Sequence, residues 1–423
     1  MYRREFVKMA VATCVAPGVF AAENEARIWA VADAPEIGQP LPRWRPGEMD
    51  LHFIYTGRGE NMFYVLPDGT TIVNDVGDYW RQKERAEIPW LPRADRLGGE
   101  CVARYVKSVW DRPYVDYLTL SHWHNDHAGE PKCGTVKAAD GRDVCGIPLF
   151  NEFINVNRFF DHQYPNRGQY GGGDVASRRM IERWVEAKNI PQEKFRVGAL
   201  NQIRLMNDPS GRYRDTFSIR NVCANAVCWT GRGEEAFDYG AVHADVTCKE
   251  SILNQNTLSM GYVIRYGKFS YWTGGDVSCK LTGADGQEFN YEGVVGRAVG
   301  PVTVCKTNHH AYRDAMTEEF VREVRAAAYV TAVWCPRHIQ DCNMRLMSSW
   351  ELYAGERKVF PNFVPEWPRK EWPDAPWWGD VVPAPGGHVV VKVAPGGDTY
   401  RIYVVDATDE SLAVRGVWAG REA

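Results

Sequence analysis

Three of the chain's ten histidines and one aspartate fall within six consecutive residues, His122-Trp123-His124-Asn125-Asp126-His127. The apolar residues 115–120 lead straight into them, which predicts a short buried strand ending in the cluster. Alternate residues of an extended segment share a face, so His122 and His124 can grip one ion. The turn that follows can swing Asp126 and His127 toward a second. Imidazole and carboxylate donors together suit zinc, manganese or iron. The rival reading is a surface loop that happens to be rich in histidine; the apolar strand before the cluster argues against it.

Further donors stand at the ends of other apolar runs. Asp276 follows Tyr271-Trp272-Thr273-Gly274-Gly275, where the glycine pair lets the backbone approach closely. Its carboxylate is the candidate to reach between two ions. His309 and His310 end another strand, and one of them completes the second ion's shell, with His310 preferred. Asp75 closes the strand around 71–74 and either orients a ligand histidine from behind or caps a turn. His338 and Tyr312 are candidates for substrate contact or proton delivery. His52 and His162 read as structural, and His388 as a strand-turn residue.

Strands alternate with helices along the chain, and polar residues gather at strand ends, the pattern of an α/β sandwich. Hairpins are expected around Pro67-Asp68-Gly69-Thr70 and Tyr266-Gly267, and a last one joins residues 388–393 to 399–405. Residues 23–48 read as a surface segment, 49–408 as the main domain with an inserted lid at about 130–250, and 409–423 as a tail. The stretch from Trp350 to Trp378 reads as an irregular belt whose tryptophans (Trp367, Trp372, Trp377, Trp378) staple it to the body. A formal charge of −4 gives no support for a general nucleic-acid or membrane-surface binder. No run of 18 apolar residues suggests a membrane-spanning helix.

The first residues resemble a twin-arginine export signal: Arg3-Arg4-Glu5-Phe6-Val7-Lys8, an apolar stretch, then small residues near Ala21. A signal over 1–22 implies a periplasmic or secreted protein. Ten cysteines would remain after its removal, an even count that permits disulfides in an oxidising compartment, with Cys223 and Cys228 close enough to pair.

Taken together, these residues resemble the metallo-β-lactamase superfamily, and most closely the hydrolase domain attached to the ComEC-type DNA-uptake channel. The matching stretches are Thr56-Gly57-Arg58-Gly59-Glu60, Pro67-Asp68-Gly69, Asn74-Asp75-Val76-Gly77, Asn254-Gln255-Asn256-Thr257-Leu258 and Lys306-Thr307-Asn308-His309-His310. Pro336-Arg337-His338 is a looser match. The resemblance covers roughly residues 50–130 and 250–405. It implies a four-layer αββα sandwich and two divalent ions, zinc first and manganese or iron as alternatives. It also implies metal-assisted hydrolysis of a phosphodiester or phosphate ester, with Asp126 orienting the nucleophile. The same fold hosts lactone and β-lactam hydrolysis, and a non-catalytic binding protein could keep it too. No sequence-specific nucleic-acid binding is implied. Arg158, Arg167, Arg178 and Arg179 are candidates to grip an anionic substrate. Two departures stand out. Asn254-Gln255-Asn256 occupies the place where many members carry a further metal histidine, which leaves the His122/His124 ion short of a donor unless His243 folds back. Ala311-Tyr312 replaces Gly-Ser after the histidine pair.

Overall fold

A computed structural model of the chain describes residues 27–80, 87–168, 174–243, 254–282, 288–384 and 386–421. The expected export signal lies outside them. The described residues form a mixed α/β structure built on two large sheets. The first has nine strands in the order Arg27–Ala30, Val414–Arg421, Tyr400–Val405, His388–Val393, Met49–Phe53, Asn61–Val65, Thr71–Val76, Tyr117–Leu120 and Phe159–Asp161. The second has eight, ordered Ala236–Asp238, Val227–Trp229, Phe217–Ala224, Gly261–Tyr266, Phe269–Thr273, Val304–Lys306, Ala328–Thr331 and Lys358–Pro361.

Side-chain period dictates how these sheets pack. Along Asn61–Val65, Met62 and Tyr64 face the second sheet and meet Tyr262, Ile264 and Tyr271, while Phe63 and Val65 face the other way. The Tyr64 and Tyr271 hydroxyls meet at 2.8 Å, so each phenol buried between the sheets finds a polar partner. On the far side of the first sheet, Val73 and Leu118 pack on Val102 and Val106 of the Gly98–Val109 helix and on Trp184 of the Val175–Lys188 helix. On the far side of the second, Trp272 and Tyr329 pack on Val295, Phe320 and Met344 from three further helices. Both faces of both sheets are therefore covered, which is why so many strands read as continuous apolar runs.

In each sheet an antiparallel hairpin runs into parallel strands. Thr71–Val76 pairs parallel with Tyr117–Leu120, and Phe269–Thr273 with Val304–Lys306 and onward to Ala328–Thr331. Parallel strands end on the same side, so the loops after residues 76, 120, 273, 306 and 331 gather at one edge.

Several sequence expectations change. The supposed tail contains Val414–Arg421, paired on both sides with Tyr400–Val405 and Arg27–Ala30, so it is an interior strand of the first sheet. Arg27–Ala30 likewise lifts part of the expected surface segment into that sheet. The expected lid is shorter than 130–250, because 217–224, 227–229 and 236–238 are strands of the second sheet. The aromatic belt is not wholly irregular: it includes the Lys358–Pro361 strand and the Glu366–Glu371 helix, and Trp377 is buried. Cys223 and Cys228 sit directly opposite each other across a hairpin, but neither is in a disulfide.

Candidate metal centre

The gathered loops bring the sequence-predicted donors to one buried point. Asp276 stands at its middle. Its Oδ2 lies 3.2 Å from His127 Nε2, 3.3 Å from His310 Nε2, 3.8 Å from His122 Nε2 and 3.9 Å from His309 Nε2. Asp126 Oδ2 lies 3.4 Å from His127 Nε2 and 3.1 Å from His310 Nε2. Two donor sets follow, both using Asp276. One is His122, His124 and Asp276; the other groups Glu60, His127, His310 and Asp276, with Asp126 Oδ2 against the same two imidazoles.

Local backbone makes this convergence possible. Gly275 has φ +52°, and a Cβ there would stand 2.5 Å from the Ser121 Cβ, so only glycine lets the two strand ends touch. His309, His310 and Ala311 all take positive φ, at 41°, 53° and 56°. A run of three such residues costs about 1 kcal/mol or more for each, strain of a kind found where a site demands it. Asp75 is also left-handed, at φ 59°, which turns its carboxylate back under the cluster.

The back edges of the histidines are fixed. His127 Nδ1 donates to Asp75 Oδ2 at 2.9 Å, and His310 Nδ1 donates to the Ala332 carbonyl at 2.8 Å. Asp75 also accepts from the Ser121 backbone N–H at 2.7 Å and from its hydroxyl at 2.8 Å. Holding the proton on Nδ1 turns the bare Nε2 toward the shared space, the usual arrangement of a ligating imidazole. His122 Nε2 and His127 Nε2 are buried and have no hydrogen-bond partner. Buried polar atoms are otherwise nearly always paired, so these two point to an absent ligand. Divalent cations fit this donor set.

Charge points the same way. Four buried carboxylates (Glu60, Asp75, Asp126, Asp276) face one buried ammonium, Lys306, which with the acids ionised is 4 − 1 = 3 negative charges in excess. Without a cation the histidines respond. Burial acts to lower His310, but the Asp276 and Asp126 carboxylates outweigh it and hold its pKa at about 9. For His127 burial is likewise outweighed, by Asp276, Asp126 and Asp75, which hold it well above the ordinary imidazole range. Burial would raise Asp126 and Asp276, yet the neighbouring imidazoles hold both well below the usual carboxylate range. Burial lowers His122, His127 and His124 lower it further, and burial lowers His124.

A cleft of about 400 Å³ opens onto the donors, lined by Tyr79, His124, Asn125, Asp126, Asp174, Asp276, His309 and Trp334. His309 therefore faces the cleft, with Nδ1 on Asp314 at 2.6 Å and Nε2 on Asn256 Nδ2 at 3.2 Å, while His310 faces the second donor set. His338 does not line the cleft. It stacks face to face on His310 with ring centroids 4.6 Å apart. Tyr312 packs behind His309 at 5.6 Å and is likewise outside the lining. Of the four arginines considered for anion binding, Arg158 pairs with Glu193, Arg167 with Asp161 and Arg178 with Glu182, and Arg179 lines a different cleft. His52 bonds the Tyr105 hydroxyl and His162 bonds Asn225. Sequence reasoning took Lys306 and Glu60 only as motif positions and gave neither a place in the centre. The second aromatic wall, Trp334, carried no pattern that could have placed it.

No family model matches the chain, and no curated protein does. Among solved structures, it is similar to a protein of unknown function from Enterococcus faecalis V583. The two share 9% identity over 74% of this chain and 70% of that one, with a TM-score of 0.30.

Proposed function

We propose that the chain is a metal-dependent hydrolase of the metallo-β-lactamase superfamily, its two covered sheets forming that family's four-layer sandwich. The observation that carries the reading is the pair of donor sets that meet at Asp276 Oδ2, with unpartnered His122 Nε2 and His127 Nε2 turned inward. His122, His124 and Asp276 would hold one divalent ion; Asp126, His127, His310 and Asp276 would hold the other. Zinc suits this set of imidazole and carboxylate donors, with manganese or iron as alternatives. Such ions, when bound, supply Lewis acidity and bring the pKa of water toward neutral.

The protein's own groups do the rest. Asp126 borders the cleft and is the carboxylate placed to orient an attacking water and accept its proton. Asp75 keeps the His127 proton on Nδ1. His309, anchored by Asp314, also lines the cleft and can return a proton to a leaving group there. Tyr79 and Trp334, edge to face at 5.2 Å, form an apolar wall that excludes water from one side.

A phosphodiester, which carries a single negative charge, is the first substrate class. Among the described residues lining the cleft none is lysine or arginine, and this favours an uncharged ester or lactone as the second reading. Turnover of bis-p-nitrophenyl phosphate, p-nitrophenyl phosphate, a lactone and nitrocefin, each with zinc or manganese, separates them. Absence of turnover on every ester and amide class with a fully metal-loaded protein would refute hydrolysis.

A further inference from the structure

Beneath the donors lies a buried ion pair that joins the two sheets. Lys306 ends its strand in the second sheet, Glu60 precedes the Asn61–Val65 strand in the first, and both side chains are fully buried. Lys306 Nζ is 2.7 Å from Glu60 Oε2, donates to the Gly275 carbonyl at 2.6 Å, and stands 3.7 Å from Asp276 Oδ1.

Glu60 has the geometry of a support and not of a ligand, although its carboxylate lies near His127, His310 and Asp276. Its oxygens approach the wrong edges of the rings. Oε1 is 4.0 Å from His127 Nδ1 and Oε2 is 3.5 Å from His310 Nδ1, the nitrogens already committed to Asp75 and Ala332. The open Nε2 atoms point away from it, toward Asp276 Oδ2. The Glu60 backbone is tied to the same centre, since its N–H donates to the Asp126 carbonyl at 2.8 Å. That contact needs Gly59, whose Cβ would stand 2.2 Å from the Asp126 oxygen.

We propose that Lys306, seated by Glu60, is a positioning residue that holds the Gly275 carbonyl and the Oδ1 side of Asp276, so that Oδ2 alone is presented to both ions. The inference rests on the metal-centre reading above. A buried pair of this kind is rarely retained for stability alone, because well-packed apolar residues often replace one at no cost, whereas removing a single partner strands a buried charge. That difference separates positioning from scaffolding. Lys306→Met alone strands Glu60 and lowers the melting temperature; Lys306→Met with Glu60→Leu removes both charges and recovers most of that loss.

The test measures zinc affinity and stoichiometry by competition with a chromophoric chelator, alongside thermal melts of the metal-free proteins. The expected result is that the double variant melts near the parent yet binds zinc 10- to 100-fold more weakly, as when a supporting contact behind a ligand is lost. A double variant that is folded and binds zinc as tightly as the parent overturns the positioning role. So does a folded Lys306→Met with unchanged affinity. If the parent protein itself takes up no zinc, it is the metal-centre reading that fails, and the two failures are thereby distinct.

Discussion

Asp75→Asn changes one atom and should weaken metal binding sharply without unfolding the chain. Asparagine has the same shape and tolerates φ 59° better than most residues, so the backbone cost is small. Its amide must choose among donors. Asp75 Oδ1 takes the Ser121 N–H at 2.7 Å, while Oδ2 takes His127 Nδ1 at 2.9 Å and the Ser121 hydroxyl at 2.8 Å. If the asparagine oxygen keeps the Ser121 N–H, its NH₂ replaces Oδ2 and can only donate. His127 Nδ1 must then accept, and its proton moves to Nε2, the nitrogen 3.2 Å from Asp276 Oδ2 that faces the ion. Binding must now expel that proton or flip the amide against the Ser121 N–H. Losing such a supporting acceptor typically costs 10- to 100-fold in metal affinity, about 1.4 to 2.7 kcal/mol. Competitive zinc titration gives the affinity, and circular dichroism of the metal-free protein checks the fold. Unchanged zinc affinity in a folded Asp75→Asn protein would refute the assignment of His127 as a ligand oriented by Asp75.

Other expectations are equally concrete. His124→Ala and Asp126→Ala each abolish hydrolysis of the best panel substrate while the melting temperature of the metal-free protein holds; normal turnover by both removes the mechanism. Truncation after residue 408 yields insoluble or unfolded protein, because it strips Val414–Arg421 from between two strands; a soluble, fully cooperative truncation would contradict the sheet order. His388 supplies a pH dependence remote from the metal centre. Burial depresses its pKa from 6.5 to about 3, and its Nδ1 accepts the Tyr55 N–H at 3.1 Å. The unfolded chain therefore binds the extra proton between those values. Stability from this group is complete above about pH 6.5 and is lost as pH falls, by about 3 kcal/mol down to about pH 4.5. His388→Asn keeps an acceptor for Tyr55 without titrating, so its stability changes less over that range; an identical pH slope in both proteins would contradict the assignment.

The parts of the centre that sequence could reveal were those with local grammar. The His122–His127 spacing, Asp276 after its glycines and the paired His309-His310 each sit where an apolar run stops, and the structure gathers them at one edge. The pairing of Lys306 with Glu60, both quoted only as motif positions, was hidden for a physical reason: each is a single charge beside an apolar strand, and only the meeting of two sheets makes them a pair. The left-handed run at 309–311 was equally invisible, since neither histidine nor alanine advertises positive φ. Val414–Arg421 was passed over because Gly416, Gly420 and two arginines weaken a strand pattern. Burial of Trp418 against Phe360 reveals what the strand is for. His338 was considered because Pro336-Arg337-His338 loosely matches a motif, and Tyr312 because it follows the histidine pair; the structure packs them against His310 and His309.

The most direct test is the number of divalent ions each chain holds after equilibration with zinc and removal of the excess, measured by elemental analysis for the parent and for Asp276→Asn. The account predicts two ions in the parent and, because one carboxylate oxygen serves both donor sets, weakened retention of both in the variant. A parent chain that retains none, or an Asp276→Asn chain that holds two as tightly, would contradict it.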